Sequence, residues 1–294
     1  MTSLETLLES GTVILADGAM GTMLMQAGLE YGGSPEAWNL EHPDRIRAIH
    51  REYIGAGSQI ILTNSFGGSP FRLRRHGLHE RTTEINRIAA ELARAEADAA
   101  PHPVVVAGSM GPSGELFEPL GELTFDEARE GFAMQALGLA EGGVDVLWIE
   151  TMSDLQEVQA VVEGVRSVTS LPLVITMTFD MRGHTMMGVT PVVALEALKA
   201  NGPLALGGNC GNGPGEIEGV IEAMHTADPT AVLVAKSNAG LPRVVGVDVV
   251  YDGTPEVMAQ HARRVRELGA RIIGGCCGTT PAHLRAMAEA LRMG

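Results

Sequence analysis

The sequence predicts an α/β protein, a single (β/α)8 TIM barrel over residues 1–294 with its active site at the C-terminal ends of the strands. Three observations carry this. Eight short, apolar, β-branched runs recur along the chain, as in strands buried on both faces of a parallel sheet. Amphipathic stretches of helical length alternate with them. No dinucleotide fingerprint, P-loop, linker or low-complexity tract is left over to build a doubly wound sheet or a second domain.

The elements follow in order. Thr12 to Asp17 is the first strand, and Pro43 to Gly57 the helix that returns the chain. Ser58 to Asn64 is the second strand, ending in polar Thr63 and Asn64, and Glu80 to Ala99 its helix. Val104 to Met110 precedes a helix over Thr124 to Gly142, and Val146 to Glu150 precedes one over Asp154 to Val168. Leu173 to Phe179 leads to a helix over Pro191 to Asn201, and Leu204 to Cys210 to one over Pro214 to His225. Ala231 to Asn238 and Arg271 to Cys277 complete the strands, with helices over Pro255 to Leu268 and Pro281 to Leu291. Thr190, Thr254 and Thr280, each before a proline, read as N-caps with proline at the first helical position. Long gaps follow the first three strands and are expected to hold active-site loops.

Composition narrows the function. With 21 basic and 36 acidic residues the net charge is −15, so a nucleic acid would be repelled over most of the surface. Met1 to Ser10 lacks a basic segment ahead of an apolar one, and no apolar run approaches the roughly 18 residues of a bilayer span, so a cytoplasmic protein with no membrane partner is expected. Three cysteines, two of them adjacent, exclude a disulfide framework.

All three cysteines fall at strand tips: Cys210 ends the sixth strand, and Cys276 and Cys277 end the eighth. A lone cysteine usually packs as a small hydrophobe. Here GGNCGNG and GGCCGTT surround each thiol with glycine, which leaves little bulk to bury it and predicts one joint site. Three thiolates with a vacant fourth position suit Zn2+, and a substrate thiol could fill that position and be held as a thiolate at neutral pH. An iron–sulfur cluster would need a fourth cysteine.

The chain resembles the homocysteine S-methyltransferase family of zinc-dependent barrels. The resemblance runs nearly end to end. It rests on ADGAMGT at Ala16 to Thr22, ILTNSFGGS at Ile61 to Ser69, GSMGPSGE at Gly108 to Glu115, WIETMSD at Trp148 to Asp154, NCG at Asn209 to Gly211, and GGCCGTTPAHLRAM at Gly274 to Met287. It implies that Cys210, Cys276 and Cys277 ligate zinc and that Glu150 pairs with the amino group of homocysteine. It also implies that Asp17 and Gly18 hold the amino-acid end, and that Asn238 occupies the vacant zinc position until substrate displaces it.

The donor is less constrained. Trp38 and Phe66 are candidates for an aromatic wall against an onium methyl donor. Gly67 and Thr151 stand where the animal betaine enzymes would have tyrosine, and no Asp-x-His-x-x-Gly corrinoid signature occurs. The wording of the motifs is closest to stand-alone bacterial betaine-dependent enzymes, so glycine betaine or another small onium donor is expected. The alternatives are S-methylmethionine, a selenol acceptor, a corrinoid protein on another chain, and a noncatalytic subunit that presents homocysteine. Assembly into a homo-oligomer stays open.

Overall fold

The computed structural model describes residues 3–245 and 248–292. After a short helix α1 (Leu4–Glu9), strand β1 (Ile14–Leu15) leads through α2 (Met20–Gln26) and α3 (Trp38–Glu41) to α4 (Pro43–Gly55). Then come β2 (Ile60–Leu62), α5 (Pro70–Leu73), α6 (Thr82–Asp98), β3 (Val105–Met110), α7 (Phe125–Glu141), β4 (Val146–Met152) and α8 (Leu155–Val168). The second half runs β5 (Leu173–Met177), α9 (Pro191–Lys199), β6 (Ala205–Cys210), α10 (Pro214–Ala227) and β7 (Leu233–Ser237). A hairpin β8 (Pro242–Val245) and β9 (Asp248–Tyr251) precedes α11 (Pro255–Glu267), β10 (Ala270–Gly275) and α12 (Pro281–Arg292).

Eight strands form one parallel sheet in the order β1-β10-β7-β6-β5-β4-β3-β2. The seam between β1 and β2 is narrow, a single Ala16–Ile60 bridge with the Gln59 N–H donating to the Leu15 carbonyl at 2.7 Å. The (β/α)8 barrel is therefore as expected, although β1 is shorter than the apolar run that announced it. Alternate strand residues fill the interior, among them Ile14, Ile60, Val105, Val146, Trp148, Val174, Val234 and Ile272, and Leu4 and Leu7 of α1 join the same cluster. The other face of each strand packs under the helices. Helices α6, α7 and α8 approach closely enough that a Cβ on Gly138 would lie 2.3 Å from the Thr83 carbonyl oxygen, and one on Gly164 would lie 2.4 Å from that of Arg129.

The threonine caps hold for α9 and α11, where Thr190 accepts from the Val193 N–H and Thr254 from the Val257 N–H. Thr280 likewise precedes Pro281 at the start of α12, its carbonyl accepting from the Leu284 N–H at 3.2 Å, but its hydroxyl lies 2.9 Å from His283 Nδ1. The hairpin β8–β9 and the short helices α1, α2, α3 and α5 were not expected. The hairpin strands are four residues each, and the helices are too short to show the long period of the barrel helices. Among the described residues no helix is long and apolar enough to cross a membrane.

Candidate active site

A cavity of about 270 Å3 opens at the C-terminal ends of the strands. The loops after β1 and β2 wall it with Asp17 to Thr22, Met25, Pro35, Glu36 and Asn64 to Phe66; the ends of β3, β4, β6 and β10 add Ser109, Glu150, Cys210, Cys276 and Cys277. The loop after β3 contributes none of its own residues, contrary to expectation. Tyr251, at the end of the unexpected hairpin, takes that share instead.

The three cysteine sulfurs lie within 4.8 Å of one another. Cys210 takes φ +66°, a left-handed conformation rare for a side chain with a Cβ, and this turns it at the end of β6. The Cys276 N–H donates to the Ser237 carbonyl at 2.7 Å, the Ala239 N–H to the Cys277 carbonyl at 2.9 Å, and the Gly278 N–H to Thr22 Oγ1 at 3.0 Å, which ties the double-cysteine turn to its neighbours. Gly275 has to be glycine, because a Cβ there would lie 2.3 Å from Thr279 Oγ1. Hydrogen bonding among the three thiols acts in both directions; burial and mutual repulsion then push all of them up, Cys210 and Cys277 to about 12. Without a cation these groups stay neutral thiols; a bound cation would offset the repulsion and hold them as thiolates. Asn238 is buried beside it, donating through Nδ2 to the Gly211 carbonyl at 2.6 Å, while its Oδ1 has no hydrogen-bond partner. Three soft sulfur donors at these separations suit a tetrahedral zinc ion with its fourth position open.

Charged groups are buried in the same cavity. Asp17 accepts from Lys236 Nζ through Oδ1 and from the Leu62 N–H through Oδ2, both at 2.7 Å. Burial opposes the charge on Lys236, but Asp17 and Glu150 hold its ammonium above the usual lysine value. Burial pushes Glu150 up as well, and Ser109 Oγ donates to its Oε1. Asn209 fixes the turn after Glu150: its Oδ1 accepts from the Thr151 N–H at 2.8 Å and from Thr176 Oγ1 at 2.7 Å, with Thr151 itself at φ +62°. Glu36 is also buried, accepting from the Gly67 N–H at 2.7 Å and so holding the turn that carries Phe66.

Of the residues singled out from the sequence, Asp17, Gly18, Phe66, Glu150 and the three cysteines share the cavity wall. Gly18 is required by close packing, since a Cβ there would meet Thr279 Oγ1 at 2.6 Å. The Phe66 ring has the Arg72 guanidinium 5.6 Å from its centroid. Trp38 is not brought to the cavity, which corrects its reading as part of an aromatic wall. It is buried in the core, with its ring edge on His42 and the Arg45 guanidinium 5.0 Å from its centroid. Helix α3 turns it away from the site, which a spacing along the chain cannot reveal.

Sequence reasoning missed Lys236, Ser109, Glu36 and Tyr251. Lysine inside the apolar run LVAKS was a usable signal, because an amine in a doubly buried strand needs a partner. Nothing local marks Tyr251, which reaches the site only through the hairpin. Its ring packs so closely on Gly278 that a Cβ there would lie 2.2 Å from the ring's Cγ.

Residues 14–291 match the family model described as homocysteine S-methyltransferase. Methionine synthases of Mycobacterium leprae and Mycobacterium tuberculosis are each 33% identical, over 98% and 96% of this chain, and the chain spans only 25% of their length. The crystal structure of the homocysteine methyltransferase MmuM from Escherichia coli in its metallated form is similar at a TM-score of 0.83 and 25% identity, covering 97% of this chain and 99% of that one.

Proposed function

This chain belongs to the homocysteine S-methyltransferase family, and from that premise we propose that it transfers a methyl group to the sulfur of homocysteine, forming methionine. The observation that carries the reading is the pairing, in one cavity, of a three-sulfur cluster with a buried carboxylate, Glu150, that has hydrogen-bonding capacity left for an ammonium. An amino acid bearing a thiol has complementary groups.

Cys210, Cys276 and Cys277 would hold zinc, with Asn238 Oδ1 as the resting fourth donor. When bound, the ion supplies a Lewis acid that stabilises the substrate sulfur as a thiolate at neutral pH. The protein's own residues bind and orient. Glu150, steadied by Ser109, takes the ammonium; the loop after β1 closes the amino-acid end; Phe66, with the turn that Glu36 holds, walls the side open to the donor. Walling off bulk water strengthens each of these contacts.

A small onium donor, glycine betaine first, fits a cavity whose wall carries three carboxylates against one lysine ammonium. The sulfur's electron pair forms the new S–C bond, and the pair of the broken bond leaves with the donor heteroatom as a neutral amine or thioether. Opposite charges on thiolate and onium are both lost. A second reading, a methylated corrinoid on another chain or module, is favoured by the similarity to methionine synthases of which this chain spans a quarter.

The test is methionine formation by zinc-loaded protein given homocysteine with glycine betaine, S-methylmethionine or a methylated corrinoid in turn. Turnover with a free onium compound is expected. Turnover with the corrinoid alone would overturn the donor while leaving the acceptor standing, and no methionine from any donor would overturn the reading.

A further inference from the structure

Lys236 is an unusual residue to find in the middle of the barrel. Its side chain is 3% exposed, it stands on the fully buried strand β7 between Ala235 and Ser237, and it lines the cavity with Asp17 and Glu150. The two acids are not equivalent. Asp17 has both oxygens engaged, by Lys236 Nζ and the Leu62 N–H, and its carbonyl accepts from the Gly275 N–H at 2.9 Å. Glu150 receives one hydrogen bond among the described residues, from Ser109, which leaves Oε2 to a ligand. Glu36 is engaged by the Gly67 N–H and, at 3.3 Å, by the Ser34 hydroxyl. Lys236 donates one hydrogen bond to Asp17 and lies 5.6 Å from the Trp148 ring centroid, so N–H capacity remains on the cavity side.

We infer that Lys236 is a specificity-determining residue: by occupying Asp17 it leaves Glu150 as the carboxylate open to a substrate ammonium, and its own charge selects an aminothiol that also bears a carboxylate. This rests on the proposed acceptor and deepens it. A zwitterion brings a negative group that offsets Lys236. A purely cationic aminothiol brings none and sets a second ammonium near the one paired with Asp17, in a water-poor cavity where like charges repel strongly.

The experiment compares homocysteine with 3-mercaptopropylamine, which has the same chain, thiol and ammonium but no carboxylate. Calorimetric titration of zinc-loaded full-length protein gives the ratio of the two affinities. Lys236→Met exposes Asp17 to ligand and is expected to move that ratio at least about tenfold toward the cationic thiol. Asp17→Asn leaves Lys236 unneutralised and is expected to move it in the opposite direction. General damage to the cavity weakens both ligands together and does not produce opposed shifts, and Asp17→Asn decides the matter alone if Lys236→Met does not fold. Ratios within about twofold of the unmodified protein, or shifts in the same direction, would overturn the inference. Unmodified protein that binds the thiols with an ordinary ratio keeps the acceptor reading intact in that case; unmodified protein that binds neither thiol removes both.

Discussion

Cys210 and Thr151 hold left-handed backbone conformations without being glycine, at the tips of β6 and β4, the strands on either side of β5. Asn209 bridges the two, bonded to Thr151 through both its amide atoms and adjacent to Cys210 in the chain, so the sulfur cluster and Glu150 are positioned by one side chain. Residue-level changes should therefore separate cleanly. Cys276→Ala is expected to lose bound metal and methyl transfer together, read by metal analysis of freshly reduced protein; a full equivalent of zinc in that variant would remove Cys276 from the ligand set. Glu150→Gln is expected to keep its zinc while homocysteine affinity falls about tenfold to a hundredfold, the worth of a charged hydrogen bond. Unaltered affinity in a binding titration would leave Glu150 with a structural role only.

At the scale of elements, the α4–α6 contact combines a surface ion cluster with a buried weakness. Arg47 and Arg51 of α4 both donate to Glu96 of α6, at 2.7 and 2.9 Å. His50, between them on the same helix, is fully buried with neither ring nitrogen bonded, and burial lowers it to about 4 despite the nearby Glu96. The unfolded chain takes up this proton near pH 6.5 and the folded chain only near 4, so folding stability falls as the pH drops through that window. The loss attributable to His50 is about 2 kcal/mol by pH 5. His50→Leu, apolar and of similar size, should flatten the difference in denaturant midpoint between pH 7.5 and pH 5; an equal acid loss in the variant would shift the cause to other groups. The hairpin β8–β9 is the other element with consequences, since it alone delivers Tyr251 to the cavity rim.

For the whole molecule, a net charge of −15 sets a field that attracts cations at long range and that salt screens. The apparent KM for a net-cationic donor such as a sulfonium amino acid should rise several-fold between about 20 and 200 mM salt, with that for net-neutral homocysteine changing less than about twofold. Steady-state kinetics across that range check it, and equal responses would assign the attraction to the cavity alone. The alternation of strands and helices, and the location of the cysteines at strand tips, were legible along the chain because burial on both faces of a parallel sheet imposes a continuous apolar run, and the polar residue that ends it marks the rim. The glycine-flanked thiols were legible for the same local reason. What only the tertiary structure decided is which side chains at that rim face one another. Trp38 is turned into the core by a four-residue helix, Tyr251 is carried in by a hairpin, and Asp17 meets Lys236, 219 positions further along the chain. Closure of the barrel makes those pairings, and because it joins elements distant in sequence, no local period or propensity encodes them.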